Sequence, residues 1–361
     1  MKPIISGKIK VHLIWFDSMG AKASCILVET PDVKILIDPG TAEMQPGFPL
    51  SAEEKWQLRK KAFIAIKRAA RRADTIFISH YHYDHHTLPE EAGQIYRNKK
   101  LWVKDPNRWI NHSQWDRARL FLSQLYESSE NRNFEEALYT PGKFRISDPL
   151  KNLPVASGKN YGDYQERKNE LLKKGRKWFD NLVALWKKGP WVKPFTAGGS
   201  RVCFVDGKSF TVGTTKIRFT HPFFHGIEYD RIGWVIGFVL EYKKAKVLYT
   251  SDLQGPIIED YADWIIREDP DVLVMDGPTT YLFGFMLNRI NLNRVIENVC
   301  RILKNINPEV IIYDHHLPRD IRYRERVDEI YRTAKEKNIN LITAAEWFGQ
   351  EPLILKLAKN G

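Results

Sequence analysis

Short apolar runs punctuated by turn residues set the rhythm of the first hundred positions. Residues 11–16 (VHLIWF), 24–29 (SCILVE) and 33–38 (VKILID) are apolar and partly β-branched, which predicts strands. Pro39-Gly40 stops the third. Ser51 followed three positions later by Glu54 is a capping-box pattern, so a helix is predicted from there to about Arg72. Residues 75–79 (TIFIS) predict another buried strand. From 101 to 200 this rhythm fails. Six of the eleven tryptophans (Trp102, Trp109, Trp115, Trp178, Trp186 and Trp191) lie there on helix-like and irregular stretches. That apolar content predicts an inserted subdomain or lid, not a disordered linker. Strands return at Arg201 with RVCFVD, KIRFTH, GWVIGFVLEY and VLYTSD. Helices expected at 257–267, 291–303 and 320–336 then alternate with strands at 271–275 and 309–313. The expectation is a mixed α/β fold, one domain over 1–361 carrying the 101–200 insertion.

Composition changes this picture little. Of 361 residues, 43% are hydrophobic and 28% charged, ordinary for a globular protein. No stretch reaches the ~18 apolar residues of a membrane span, so no membrane partner is expected. The opening residues lack a secretory apolar run, and Cys25, Cys203 and Cys300 are odd in number and far apart. Both points predict a cytoplasmic protein without disulfides. Charge adds more. The net +12 is concentrated, with an excess of +7 in residues 101–200 and +5 in residues 51–75. Such a field favours anionic small molecules or nucleic acid.

Histidine placement carries the chemistry. Eight of ten histidines fall in three short segments: His80, His82, His85 and His86; His221 and His225; His315 and His316. Each segment follows an apolar strand-like run. On an extended backbone His80 and His82 project to one face. Asp84 and His85 follow after a bend. Packing four imidazoles and a carboxylate into seven residues without a cation would force like charges or unsatisfied groups together. Imidazole with carboxylate suits zinc, iron or manganese.

His80-Tyr81-His82-Tyr83-Asp84-His85 resembles the HxHxDH signature of the metallo-β-lactamase superfamily. Asp38, His225 before Gly226, Asp252 after 247–251 and His315 after 309–314 stand in the order of that superfamily's other motifs. HYHYDHHT, TSDLQGP, DGPTTYL and DHHLPRD are similar to segments of a mainly archaeal group of predicted metal-dependent hydrolases. The likeness spans about 1–100 and 201–350. It implies an αββα sandwich with a helical, Trp-rich insertion. It also implies two divalent metal ions, zinc in first place, with iron or manganese as alternatives. His80, His82 and His225 would hold the first ion, Asp84, His85 and His315 the second, and Asp252 would bridge them. His221 stays an alternative to His225, and His316 to His315. Asp38 is expected to orient a ligand. Asp276 matches an acidic position of nuclease-like relatives, and His86 is a candidate proton donor to a leaving group.

The resemblance implies a metal-dependent hydrolase. The two cations would ionise a water, and Asp84 would orient it or take its proton. An anionic substrate, a phosphodiester or nucleic acid, is the leading expectation, with Trp109, Trp115 and Arg117 as stacking and neutralising candidates. A small ester, lactone or amide is the alternative substrate. A nucleic-acid-binding module with structural metals, and a diiron redox enzyme, are readings of other classes.

Overall fold

The computed structural model describes residues 2–128 and 132–359. Strands β1 (Ile4–Ser6), β2 (Ile9–Phe16), β3 (Ser24–Glu29), β4 (Lys34–Ile37), β5 (Thr75–Ile78) and β6 (Lys100–Val103) lie side by side in that order. Strands Ser200–Phe204 and Thr196–Ala197 complete this first sheet. Pairing is antiparallel from β1 to β4 and parallel from β4 to Ser200–Phe204. The second sheet runs Ser209–Val212, Thr215–Phe219, Phe238–Tyr242, Ala245–Tyr249, Val272–Asp276, Val310–Asp314, Leu341–Ile342. Its last three pairings are parallel.

Alternation within each strand explains the layers. In β3, Ile26 and Val28 point between the sheets, where they meet Ile217, Phe238 and Leu240. Cys25 and Leu27 point outward beneath helices α1 (Ala52–Ala70), α2 (Pro89–Tyr96) and α3 (His112–Glu127). Both faces are covered, so the strands read as unbroken apolar runs. The outer face of the second sheet is covered in the same way. There Leu248, Leu273 and Ile311 pack with Ile265, Val295 and Ile330 from three helices. This is the αββα sandwich that the sequence resemblance implied.

Several expected elements change on folding. The Ser51–Glu54 capping box forms, with each side chain bonded to the other residue's backbone N–H. The predicted GWVIGFVLEY strand divides into Trp234–Val235 and Phe238–Tyr242. Gly237 sits at the break, where a Cβ would come within 2.8 Å of the Trp264 ring. The expected 320–336 helix is two pieces, Tyr323–Arg326 and Asp328–Glu336. Within 101–200, Trp102 belongs to β6 in the sheet itself. Many other apolar residues of that span join the core cluster on the outer face of the first sheet. The short helix α4 (Pro154–Gly158) precedes α5 (Gln165–Lys188), and Phe179 and Trp186 of α5 join Trp234 and Phe224 in one cluster.

Candidate metal centre

Parallel strands deliver their C-terminal ends to one edge of the sandwich, the position where open α/β sheets bind ligands. β4 leads to Asp38 and β5 to Ser79-His80. Ala245–Tyr249 leads to Asp252, Val272–Asp276 ends on Asp276, and Val310–Asp314 leads to His315-His316. Turning the chain so sharply requires unusual backbone. Asp38, Ser251, Gln254, His315 and His316 all have positive φ, between 48° and 60°. Strain of this kind concentrates at functional sites. Gly40 is needed for another reason: a Cβ there would lie 2.2 Å from the His86 nitrogen, so the 38–40 turn could not close on the histidine loop.

Asp252 Oδ2 is the centre of the arrangement. It lies 3.5 Å from His80 Nε2, 3.2 Å from His225 Nε2, 3.0 Å from His85 Nε2, 3.5 Å from His315 Nε2 and 3.6 Å from His316 Nε2. His80 Nε2 and His82 Nδ1 are 3.0 Å apart. Three groups have one ligand atom per residue within 4.8 Å of one another: His80, His82, His225 and Asp252; Asp84, His85 and His315; Asp252, His315 and His316.

Side chains behind these atoms fix which nitrogen faces inward. Asp38 accepts from the Ser79 N–H (2.7 Å), the Ser79 hydroxyl (2.6 Å) and the Tyr249 hydroxyl (2.8 Å). Its carboxylate also faces His85 Nδ1 at 2.8 Å, which turns His85 Nε2 to the cluster. Asp17 does the same for His315, lying 3.0 Å from its Nδ1. Asp17 is itself held by the Arg319 Nε–H and by the backbone N–H groups of Ala23 and His316. Gln114, from α3, lies 3.4 Å from His82 Nε2, on the side away from the cluster. Asp276 accepts from the N–H groups of Leu253 (3.1 Å) and Gln254 (2.6 Å) and lies 3.3 Å from His316 Nδ1. It therefore braces the turn that carries Asp252. His86 is placed outside the three groups: its Nδ1 meets the His82 carbonyl at 3.0 Å and its ring packs on Tyr81 and Phe121.

Electrostatics divide the site. Burial lowers the pKa of His80 and His82, and the neighbouring imidazoles add to this. At His315 burial also opposes protonation, but Asp17 and Asp252 prevail and raise its pKa to about 10. His85 is likewise held well above its usual value, against burial, by Asp252 and Asp38. Despite this crowding, both oxygens of Asp252 and the Nε2 of His225 are buried without a hydrogen bond. Burying such groups unpaired is costly. Orphaned atoms from an imidazole and a carboxylate, converging on one point, are the donor set a divalent cation satisfies.

Every metal-ligand candidate read from the sequence, His80, His82, Asp84, His85, His225, Asp252 and His315, is brought to this centre. Of the alternatives, His316 comes with them, whereas His221 is exposed on the rim of a separate cavity. The stacking candidates disperse. Trp115 is buried with the Arg119 guanidinium 3.1 Å above its ring, and Arg117 lies over Tyr83 instead. Sequence reasoning missed Asp17, Gln114 and Arg319. Asp17 directly follows the predicted strand 11–16 and Arg319 sits within DHHLPRD, but the two residues that pair with each other are 302 positions apart.

Fold and donor set together define the metallo-β-lactamase class, and the family model "Metallo-beta-lactamase superfamily" matches residues 20–88, from before β3 through the 80–86 loop. The chain belongs to the UPF0282 family. It is 31% identical over 359 residues to a UPF0282 protein of Methanopyrus kandleri, covering 96% of this chain and 97% of the relative. A UPF0282 protein of Korarchaeum cryptofilum is 30% identical over 332 residues, covering 91% of this chain and 86% of that one. Among solved structures, the metallo-β-lactamase fold protein YhfI of Bacillus subtilis is similar over 93% of this chain and 95% of its own, at 14% identity and a TM-score of 0.42. Family membership supports a metal-dependent hydrolase, and the histidine and aspartate groups support divalent-metal binding.

Proposed function

We propose that this hydrolase acts on an anionic substrate, a phosphodiester in first place. The observation that carries this reading is Arg319, a buried guanidinium whose Nη2 lies 3.3 Å from Asp84 and within 3.5 Å of His315. Its Nη1 faces the Tyr281 hydroxyl at 3.4 Å. A permanent cation at this depth is expensive, and two anions, Asp17 and Asp84, offset it. Planar guanidinium suits the paired oxygens of a phosphate better than a neutral ester carbonyl.

In this reading His80, His82 and His225 would hold one divalent ion, Asp84, His85 and His315 would hold a second, and Asp252 would serve both. Zinc is the first choice of metal. Bound ions of this kind lower the pKa of water and stabilise charge developing on oxygen. Asp84 orients the attacking water and accepts its proton. Arg319 holds Asp84 in place and neutralises a substrate oxygen. Asp38 and Asp17 keep His85 and His315 turned inward, Asp276 braces Asp252, and His86 supports the loop from behind. Residues 101–200 are read as an insertion in one domain, whose Gln114 reaches the site. Free Cys25, Cys203 and Cys300 support a cytoplasmic setting.

The test is turnover of bis(p-nitrophenyl) phosphate and of single-stranded nucleic acids by the metal-loaded protein, beside a His80→Ala control. Lactone or thioester turnover without any phosphodiester turnover removes the phosphodiester reading.

A further inference from the structure

A second cavity, of about 510 Å³, opens between the 149–154 segment and the helix α6 (Glu259–Glu268). None of the residues gathered at the metal centre lines it. Its volume is in the range of small-molecule sites. The walls are flat aromatic surfaces. Phe223 stacks on Tyr261 at 4.2 Å with 23° between the rings, and Trp264 stands edge-on to Phe223 at 5.1 Å. Trp109 closes another side, and its φ is 53°. A bulky aromatic residue rarely adopts the left-handed region, and such strain persists where surrounding structure imposes it.

Among the residues that line the cavity, Asp260 is the one acid and Arg267 the one arginine. Elsewhere on the same helix and outside the lining, Asp263 pairs with Arg301 at 3.0 Å and Glu268 with Arg218 at 2.6 Å. Asp260 accepts from the N–H groups of Val155 (3.1 Å) and Ala156 (2.9 Å). Arg267, on the same helix and exposed at the rim, has no acidic partner among the described residues. His221 stands on the rim with it.

We propose that this cavity binds a nucleotide, with the base against Phe223 and Trp264 and the phosphate at Arg267 and His221. Stacking on aromatic faces is tolerant of base identity, and an unpaired arginine supplies the anion contact. The strand Phe223–Phe224 forms part of the wall and leads directly into His225, so a ligand here touches the element that carries a candidate metal ligand. The site stands apart from the metal centre, and its occupancy does not depend on hydrolysis.

Tryptophan fluorescence of the full-length chain, titrated with AMP, adenosine and inorganic phosphate, tests the proposal. AMP is expected to quench saturably. Arg267→Glu, on the surface, is expected to weaken AMP by about tenfold or more, Trp264→Leu to weaken it by a similar factor, and adenosine to bind about tenfold more weakly than AMP. His80→Ala is expected to leave AMP affinity unchanged. Absence of saturable AMP binding below about 1 mM overturns the proposal. So does affinity kept in both Arg267→Glu and Trp264→Leu, or AMP binding lost in His80→Ala but kept in Arg267→Glu, which would assign it to the metal centre.

Discussion

Asp252 has the most to lose from a single change. Its two oxygens are buried without hydrogen bonds and its Oδ2 faces five imidazoles. Asp252→Asn keeps the shape but removes the charge that two cations would share. The expected outcome is loss of at least one tightly bound metal per chain, read by metal analysis of the purified protein, with turnover reduced by about a hundredfold or more. Asp17→Asn is a milder change, because it weakens only the orientation of His315. About tenfold weaker metal binding is expected, measured by competition with a chelator. Arg319→Lys preserves the charge but not the planar fork. KM for a phosphodiester is expected to rise more than kcat falls, since Lys cannot bridge Asp17 and Asp84 in the same geometry. An unchanged KM would remove Arg319 from substrate binding.

Loops that carry the ligands depend on close backbone approach. Gly40→Ala would push a methyl group into the backbone of His85 and His86, which are anchored by hydrogen bonds to the His82 carbonyl. Strand β4 and the histidine loop cannot both keep their places, so the variant is expected to fold with reduced metal content. Circular dichroism alongside metal analysis checks this. An unaltered metal content would show that the 38–40 turn has room to give. By contrast, Ser51→Ala removes a cap at the exposed start of α1. A loss of about 1 kcal/mol in denaturant unfolding, with metal content unchanged, is expected.

Across the molecule, one buried ion network ties the 101–200 segment to the rest. Arg294 donates to both Glu228 and Glu259, while Lys168 of α5 reaches Glu228 at 3.1 Å. Glu228 lies three residues after His225, so the network also steadies that loop. Arg294→Met would leave two buried carboxylates short of their partner and is expected to cost about 3 kcal/mol or more in unfolding free energy. The network also sets an acid limit. Burial would raise the pKa of Glu259, but bonds from Arg294 lower it from 4.5 to about 2. A carboxylate with a depressed folded-state pKa contributes its full stability above its unfolded value and loses it as pH falls toward the folded one. Stability measured by urea titration is therefore expected to decline between about pH 4.5 and 2, and less steeply in Glu259→Gln.

What could be read from the chain without its fold was whatever is local. Short apolar runs between turn residues marked β2 to β5, the Ser51 cap marked α1, and the spacing of His80, His82, Asp84 and His85 marked a cation site, because each signal lies within a few residues of backbone geometry. Long-range proximity was not legible. The exposure of His221 away from the cluster, the approach of His316, the bracing by Asp17 and the place of Arg319 depend on strands separated by up to about three hundred residues meeting at one sheet edge. The close approach of the Trp264 ring to Gly237 is likewise a contact between segments distant in sequence. Side-chain periodicity follows from the backbone and travels with the sequence, whereas the convergence of ligands is created only when the two sheets stack and hide their apolar faces from water.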